Sequence, residues 1–303
     1  MVKIIYLSDT HFRSRRPIRR IDVEFFDNQL KKLDELVDIC IKNKVQALIH
    51  GGDLFDVALP DYGLFNAVAK RFRKLHRAKV DCYITYGSHD LLGYQIESVN
   101  KTGIGALIHT GLLKELIGPT EVHKVMFYGV PAVMHHTVDL YKDVPENYII
   151  ITHNIVTSDI VNFEHLTFEN LASGKANRIF LCAHYHKYFK TQVKNAYFFN
   201  TGPLIRGDKN DAEHTPNVLL MELAKDTTTF TSFFLSHVKN AIDTSDKIEL
   251  GSIAVSGLQN TQLQFVDIFE LTKKIAAENN ISTDILNVAL SKLEEAQRSL
   301  SHD

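Results

Sequence analysis

Carboxylate, hydroxyl and imidazole side chains follow several apolar segments of this sequence, at the point where each segment turns polar. The segments read KIIYLSDTH, VQALIHGGD, VDCYITYGSHD, YIIITHN and RIFLCAHYH. Near-continuous apolar runs of this length predict buried strands covered on both faces. The loops at the carboxyl ends of such strands gather into one crevice. The polar residues expected to meet there are Asp9, His11, Asp53, His89, His153, His184 and His186.

These residue types predict a site for two divalent metal ions. Mixed carboxylate and imidazole ligands suit Mn²⁺, Fe²⁺ or Zn²⁺ better than Mg²⁺, which prefers oxygen ligands. Two metals about 4 Å apart, bridged by a carboxylate, are the usual arrangement for attack of water at phosphorus. Each motif is weak by itself, because Asp-x-His and Gly-Gly-Asp are common. The prediction depends on their joint order, each at the end of an apolar run.

Further strands and two helices are predicted around these segments. Apolar runs recur at 124–131, 196–203 and 217–223, and apolar residues repeat at helical spacing over 23–41 and 64–75. Early strand–helix–strand alternation, followed by closely spaced strands, predicts a layered α/β sandwich with mixed sheets. Beyond the run at 227–237 the sequence becomes polar, and a narrow apolar stripe returns over Leu286–Leu300. We therefore predict a main domain over 1–238 and a small capping region with a C-terminal helix over 239–303.

The composition narrows the class of protein. The chain has 303 residues, 45% of them hydrophobic, and a net charge of -2. No apolar stretch approaches the roughly 20 residues that cross a bilayer, and the N-terminus has no leader-like pattern. Cys40, Cys82 and Cys182 lie far apart inside apolar runs, as buried free thiols do. These features predict a soluble, cytoplasmic protein without a membrane partner.

The order of the motifs resembles that of the calcineurin-like metallophosphoesterase superfamily, D-x-H, G-D-x-x-D, G-N-H-D, H and G-H-x-H. The resemblance covers roughly residues 1–205. It implies a four-layer α-β-β-α sandwich and a function as a metal-dependent phosphodiesterase. It also implies that one metal is bound by Asp9, His11 and His186, the other by His153 and His184, and that Asp53 bridges them.

The same resemblance implies a catalytic pair, and the sequence departs from the family motifs at two positions. His89 would be the general acid or phosphate-stabilising histidine, oriented by Asp90. The last motif has Ala183 in place of the first glycine, which changes little because that residue supplies only backbone. The third motif has Ser88 in place of asparagine. A hydroxyl on a shorter stem is a poorer ligand, so Ser88 is expected to reach the second metal directly or through water, and that metal is expected to be the looser one.

Within the superfamily, the segments GGDLFD and NTGPLIRGD resemble the SbcD-type DNA repair nucleases, although Pro203 stands where that group has serine. The segment RSRRPIRR follows the first metal-ligand loop and could hold a polyanionic backbone. The alternative interpretation of this segment is an ordinary solvated loop. The predicted DNA contacts are Arg13, Arg15, Arg16, Arg19, Arg20 and Arg206.

The resemblance also implies partners. The chain contains no G-x-x-x-x-G-K-[ST] motif, so an SMC-like ATPase of the SbcC type would be a separate subunit. Homodimers are common in the family. The leading hypothesis is a Mn²⁺-dependent DNA nuclease subunit of a repair and recombination complex. The alternatives are a phosphodiesterase for small molecules such as cyclic nucleotides, and a DNA-binding scaffold whose catalysis is weakened by Ser88.

Overall fold

The computed structural model describes residues 1–132, 137–172, 178–225 and 227–245, which form two stacked six-stranded sheets. The strands are, in chain order, β1 (Val2–Leu7), β2 (Ala47–His50), β3 (Asp81–Ile84), β4 (Lys114–Glu115), β5 (Gly118–Val122), β6 (Val125–Val130), β7 (Ile149–Thr152), β8 (Arg178–Cys182), β9 (Phe189–Val193), β10 (Ala196–Asn200), β11 (Asn217–Leu223) and β12 (Thr228–Phe234). The first sheet has the order β12-β11-β1-β2-β3-β4, and the second has β5-β6-β7-β8-β10-β9.

The helices are α1 (Phe25–Lys42), α2 (Tyr62–Arg77), α3 (Gly103–His109), α4 (Asp139–Lys142) and α5 (Phe168–Leu171). The helical repeats in the sequence predict α1 and α2, whose apolar stripes are buried. Asp61 caps α2, because its side chain accepts a hydrogen bond from the amide of Leu64.

The side chains of β1 show how the layers arise. Ile5 and Leu7 pack in the cluster that contains α1, α2 and α3, whereas Ile4 and Tyr6 face the other sheet. This alternation follows from the two-residue period of a strand. On the far face of the second sheet, Phe180 packs in a third cluster with residues of α4 and α5. The result is a four-layer α-β-β-α sandwich with mixed sheets, which confirms the fold prediction.

Strand direction determines where the polar loops lie. β1, β2 and β3 are parallel in the first sheet, and β7 and β8 are parallel in the second. Their carboxyl ends therefore release the five predicted loops toward one edge of the sandwich, where a short bridge joins Ser8 to Pro203. This shared direction brings the loops of the candidate site to the same edge.

Several elements were not predicted. β4 has two residues, and β9 lies at a sheet edge with every residue partly or fully exposed, so neither gives a clear apolar signal. α3 contains Gly103 and Gly105, which disfavour helices. A Cβ at Gly105 would collide with the carbonyl of Val99, so close packing of the backbone explains that glycine.

Some predictions fall outside the described residues. The stripe over Leu286–Leu300 and most of the region assigned to 239–303 belong to this part of the chain, so the domain boundary stays a prediction. Within the described ranges, no helix combines the length and apolar character that a membrane crossing requires.

Candidate metal centre

The strand-end loops hold four of the polar residues in an unusual backbone conformation. Asp9, His11, Asp53 and His184 all have left-handed backbone, with φ between 45° and 69°. Each such residue costs about 1 kcal/mol or more, and such strain is concentrated at functional sites. The sharp turns direct these side chains across the edge of the sandwich, toward one another.

The first cluster consists of Asp9, His11 and His186. The Nε2 atoms of His11 and His186 lie 3.1 Å apart, and Nε2 of His186 lies 3.8 Å from an Asp9 carboxylate oxygen. Asp9 is fully buried, and its carboxylate also accepts a hydrogen bond from the His184 amide. The loops after β1 and β8 are thereby joined through the cluster.

The second cluster consists of Asp53, His153 and His184. Nε2 of His153 lies 3.1 Å from Oδ2 of Asp53 and 3.1 Å from Nδ1 of His184. Asp53 and His153 are buried, with 1% and 0% of their surface exposed. Three potential ligand atoms from the loops after β2, β7 and β8 therefore converge on one point.

Asp53 connects the two clusters. Its Oδ2 atom lies 3.6 Å from Nε2 of His11 and 3.1 Å from Nε2 of His153. Its Oδ1 atom accepts a hydrogen bond of 2.8 Å from the backbone amide of His89, which fixes the carboxylate between the clusters. This position is the one that a bridging ligand requires.

The protonation of His153 indicates that the residues fit a cation. Nδ1 of His153 lies 2.7 Å from the carbonyl of Gly51, which can only accept, so Nδ1 carries the hydrogen. In the neutral ring, Nε2 then presents its lone pair to the Asp53 carboxylate. Burial lowers the pKa of His153, but the charge of Asp53 and its hydrogen bond raise it to about 9. A positive charge is therefore favoured between these atoms, and a divalent cation can supply it.

Two carboxylates that the sequence reasoning did not assign lie behind the first cluster. Nδ1 of His11 lies 3.4 Å from Asp56, and Nδ1 of His186 lies 4.0 Å from Asp211. Carboxylates placed behind metal-binding histidines fix the tautomer and increase the basicity of the ring. Asp56 could have been found as the last residue of GGDLFD, whereas no sequence pattern points to Asp211.

The predicted pairing of His89 with Asp90 is wrong. The Asp90 carboxylate is buried and accepts hydrogen bonds from the amides of Asp53, Leu54 and Gly87. The His89 ring is exposed, and its Nδ1 lies 2.6 Å from the carbonyl of Asp56. Asp90 therefore braces the loop that carries Asp53, and the Asp56 carbonyl orients His89.

Ser88 lies beside the second cluster. Its hydroxyl donates to Oδ2 of Asp53 over 3.5 Å, a long hydrogen bond. The hydroxyl is thus close to the position expected of a ligand, and in the described geometry it contacts the carboxylate.

His50 shows how a buried histidine without a ligand role differs. Its Nδ1 accepts from the Gly52 amide, so its Nε2 donates to the hydroxyl of Thr10, 3.1 Å away. Burial lowers its pKa to about 3, which keeps the ring neutral. His50 therefore ties the loop after β1 to the loop after β2.

Three of the six arginines that were predicted to contact DNA donate hydrogen bonds within the protein. Arg20 is buried, forms a paired contact with Asp22 and donates to the Arg206 carbonyl. Arg206 is buried and donates to the carbonyls of Ala212 and Val238. Arg19 donates to the carbonyls of Asp243 and Ser245. The sequence did not reveal that the chain after β12 returns to this loop.

Lys32 on α1 is buried beside these arginines, with 4% of its surface exposed. Burial, together with the charges of Arg20 and Arg206, lowers its pKa to about 7. The inner part of the arginine-rich segment is thus positively charged and binds the segment after β12.

The outer part of the segment faces solvent. Arg15 and Arg16 are exposed, and Arg13 pairs with Asp56 behind His11. The predicted DNA contacts that the fold leaves available are therefore Arg15 and Arg16, with Arg13 next to the first cluster.

Comparisons with known proteins found a family match and several similar sequences. Residues 2–221 match the family model described as calcineurin-like phosphoesterase. The DNA double-strand break repair protein Mre11 of Saccharolobus solfataricus is 33% identical over 135 residues, which cover 44% of this chain and 31% of that protein. The protein of the same name from Sulfurisphaera tokodaii is 29% identical over 89 residues, which cover 29% of this chain and 22% of that protein.

The matched segments thus span about a third or less of the length of these relatives. A solved dimetal phosphatase from Danio rerio is a more distant likeness, with 11% identity and a TM-score of 0.46 over 78% of this chain and 97% of that one. The family model, in contrast, extends across both sheets as far as β11. The chain therefore belongs to the calcineurin-like phosphoesterase family, which confirms the prediction that it is a metal-dependent phosphoester hydrolase.

Proposed function

We propose that this protein is a Mn²⁺-dependent DNA nuclease subunit that hydrolyses phosphodiester bonds. The observation that carries the proposal is the pair of ligand clusters joined by Asp53, whose Oδ2 atom faces both His11 and His153. Exposed arginines beside the first cluster and similarity to two Mre11 proteins support DNA as the substrate.

The proposed ligand sets are Asp9, His11 and His186 for one cation and His153 and His184 for the other, with Asp53 shared and Ser88 at the second. Divalent cations bound there supply a water of low pKa and neutralise charge on the phosphate oxygens. The mixture of nitrogen and oxygen donors favours Mn²⁺ over Mg²⁺.

His89 is the proposed proton donor to the leaving group. Its Nδ1 hydrogen is committed to the Asp56 carbonyl, so only Nε2 is available to hold a proton for the departing oxygen. Its ring centroid lies 4.8 Å from that of His11, which places it at the edge of the first cluster. Asp90 contributes indirectly, because it fixes the backbone that holds Asp53.

Cleavage of end-labelled linear duplex and single-stranded DNA with Mn²⁺, Mg²⁺ or EDTA tests the proposal. We expect degradation with Mn²⁺, none with EDTA, and a loss of about 100-fold or more in His89→Ala. Absence of cleavage by the wild-type protein under all metal conditions would contradict the nuclease function.

Neutralising the exposed arginines tests the substrate. A double variant with Arg15→Gln and Arg16→Gln should bind DNA more weakly. The plot of log affinity against log salt should also become shallower, with the magnitude of its negative slope reduced by about 1.5. The matched control replaces Arg73 and Arg77 on α2 by glutamine, since both are exposed near the amino end of β3. Equal slopes in the two double variants would argue against DNA binding along the arginine loop.

A phosphodiesterase for small molecules is the second candidate. The observation in its favour is that Arg19, Arg20 and Arg206 are engaged within the protein. It predicts rapid turnover of cyclic nucleotides, unchanged in the double variant at positions 15 and 16, and no cleavage of polymeric DNA.

We also propose that the protein acts in the cytoplasm as a homodimer, together with an SMC-like ATPase of the SbcC type, in a repair and recombination complex. The similarity to the two Mre11 repair proteins supports this partnership. Co-purification with that class of ATPase would support the partnership, and failure to co-purify would contradict it.

A further inference from the structure

A groove of about 420 Å³ opens next to the first cluster, between the loop after β1 and the segment that leads into α2. Its volume lies in the range of small-ligand sites. Asp56 lines the groove and also lies 3.4 Å from Nδ1 of His11, so one residue separates the groove from the candidate metal centre.

The groove has an apolar wall and a cationic rim. Val57, Pro60 and Leu64 contribute to the wall, and 54% of the surface of Val57 is exposed to solvent. Arg15 and Arg16 form the rim. The lining holds the cations Arg13, Arg15 and Arg16 against the anions Asp56 and Asp61, and Asp56 is paired with Arg13, so a net positive charge is left to attract an anion.

We propose that this groove is a subsite for one nucleotide of the substrate, next to the bond that is cleaved. The base lies against the apolar wall around Val57, and a phosphate meets Arg15 and Arg16. A planar apolar group with an adjacent anion is the chemistry that these surfaces complement. The inference rests on the proposed function, because a nucleotide there continues the strand whose phosphate occupies the clusters.

Binding in EDTA tests the subsite without hydrolysis. The probes are a ten-nucleotide oligothymidylate and an abasic strand of the same length, titrated against wild type and Val57→Trp, whose larger side chain would occupy the part of the groove next to the apolar wall. Loss of contact with one base changes affinity by about tenfold. We expect the preference for oligothymidylate over the abasic strand to fall by about that factor in Val57→Trp.

Leu59→Trp is the matched control. Leu59 is similarly exposed on the same segment, but it lines a separate groove together with Tyr62 and Phe65. It should retain the wild-type preference, and thermal unfolding of both variants checks that they fold. Equal preferences in Val57→Trp and Leu59→Trp would overturn the subsite, as would a wild-type protein without preference for bases.

The two proposals fail in different ways. If the wild-type protein cleaves DNA but Val57→Trp leaves the base preference unchanged, the nuclease function stands and the subsite is refuted. If the protein cleaves no DNA but only Val57→Trp abolishes the base preference, the nuclease function is refuted and the nucleotide-binding groove stands.

Discussion

The two ligand clusters differ in what lies behind their histidines. In the first, His11 and His186 face the carboxylates of Asp56 and Asp211. In the second, His153 faces a backbone carbonyl, and the neighbouring side chain is the neutral Ser88. Each cluster has two buried ligands and one that is partly exposed, which is His186 in the first and His184 in the second.

This difference indicates unequal affinities for cations. Negative charge behind a ligand strengthens its bond to a metal, whereas a neutral partner adds less. We therefore expect the first cluster to bind its cation more tightly, and the second to depend on Asp53 for its charge. The four substitutions below run from the largest expected effect to the smallest. Those at Asp211 and Ser88 test the inequality itself, Asp53→Asn tests the carboxylate that both clusters share, and Lys32→Met tests a site away from both clusters.

Asp53→Asn should have the largest effect. The substitution removes the charge shared by both clusters, so we expect kcat/KM for a chromogenic phosphodiester at saturating Mn²⁺ to fall by about 1000-fold or more. Asp38→Asn, on the exposed face of α1, is the control and should retain activity. A decrease of less than tenfold in Asp53→Asn would contradict a shared ligand.

Asp211→Asn should weaken the first cluster selectively. Loss of the carboxylate behind His186 is expected to reduce the affinity of the tighter Mn²⁺ site by about 10- to 100-fold, measured by isothermal titration. Asp208 lies three residues earlier in the same turn and is exposed. If Asp208→Asn produced the same loss, the effect would come from the turn and not from the charge facing His186.

Ser88→Asn should strengthen the second cluster. An amide oxygen on a longer stem can replace the hydroxyl as a ligand, so we expect the weaker Mn²⁺ site to tighten by about tenfold. Ser88→Ala is the companion variant and should show no such gain. Unchanged affinity in Ser88→Asn would mean that this position does not face the second cation.

Lys32→Met should leave both metal affinities unchanged and alter only stability. The folded-state pKa of Lys32 is about 7, below its ordinary value of 10.5, so the unfolded state holds the extra proton between these values. The contribution of Lys32 to the free energy of unfolding therefore rises with pH over that window.

Urea unfolding of the Lys32→Met variant tests this expectation. The variant should be more stable than wild type at pH 7 by about 2 kcal/mol, and the difference should shrink at pH 9.5. A difference independent of pH would contradict a buried amine with a lowered pKa, and any change in Mn²⁺ affinity would show that the variant disturbs the clusters.

The sequence predicted correctly the features that depend on local pattern, namely the central strands and the residues at their ends. Apolar runs predicted the central strands, and their parallel direction placed Asp9, Asp53 and His153 at one edge. Asp90 was misassigned because adjacency to His89 suggested contact, while the turn directs its carboxylate to backbone amides.

Other features depend on contacts between distant parts of the chain. Arg20 is buried because Arg206 and the segment after β12 cover it, and no local pattern separates it from the exposed Arg15. Asp211 meets His186 only through the turn that follows β10. Such pairings arise from tertiary packing, so composition and spacing did not reveal them.

Electron paramagnetic resonance of the Mn²⁺-loaded protein is the most direct test of the shared carboxylate. Two ions held about 4 Å apart by Asp53 should give the signal of an exchange-coupled pair. In Asp53→Asn, that signal should be replaced by one from isolated ions. A wild-type protein that binds a single ion, or two ions without coupling, would contradict the two-cluster account.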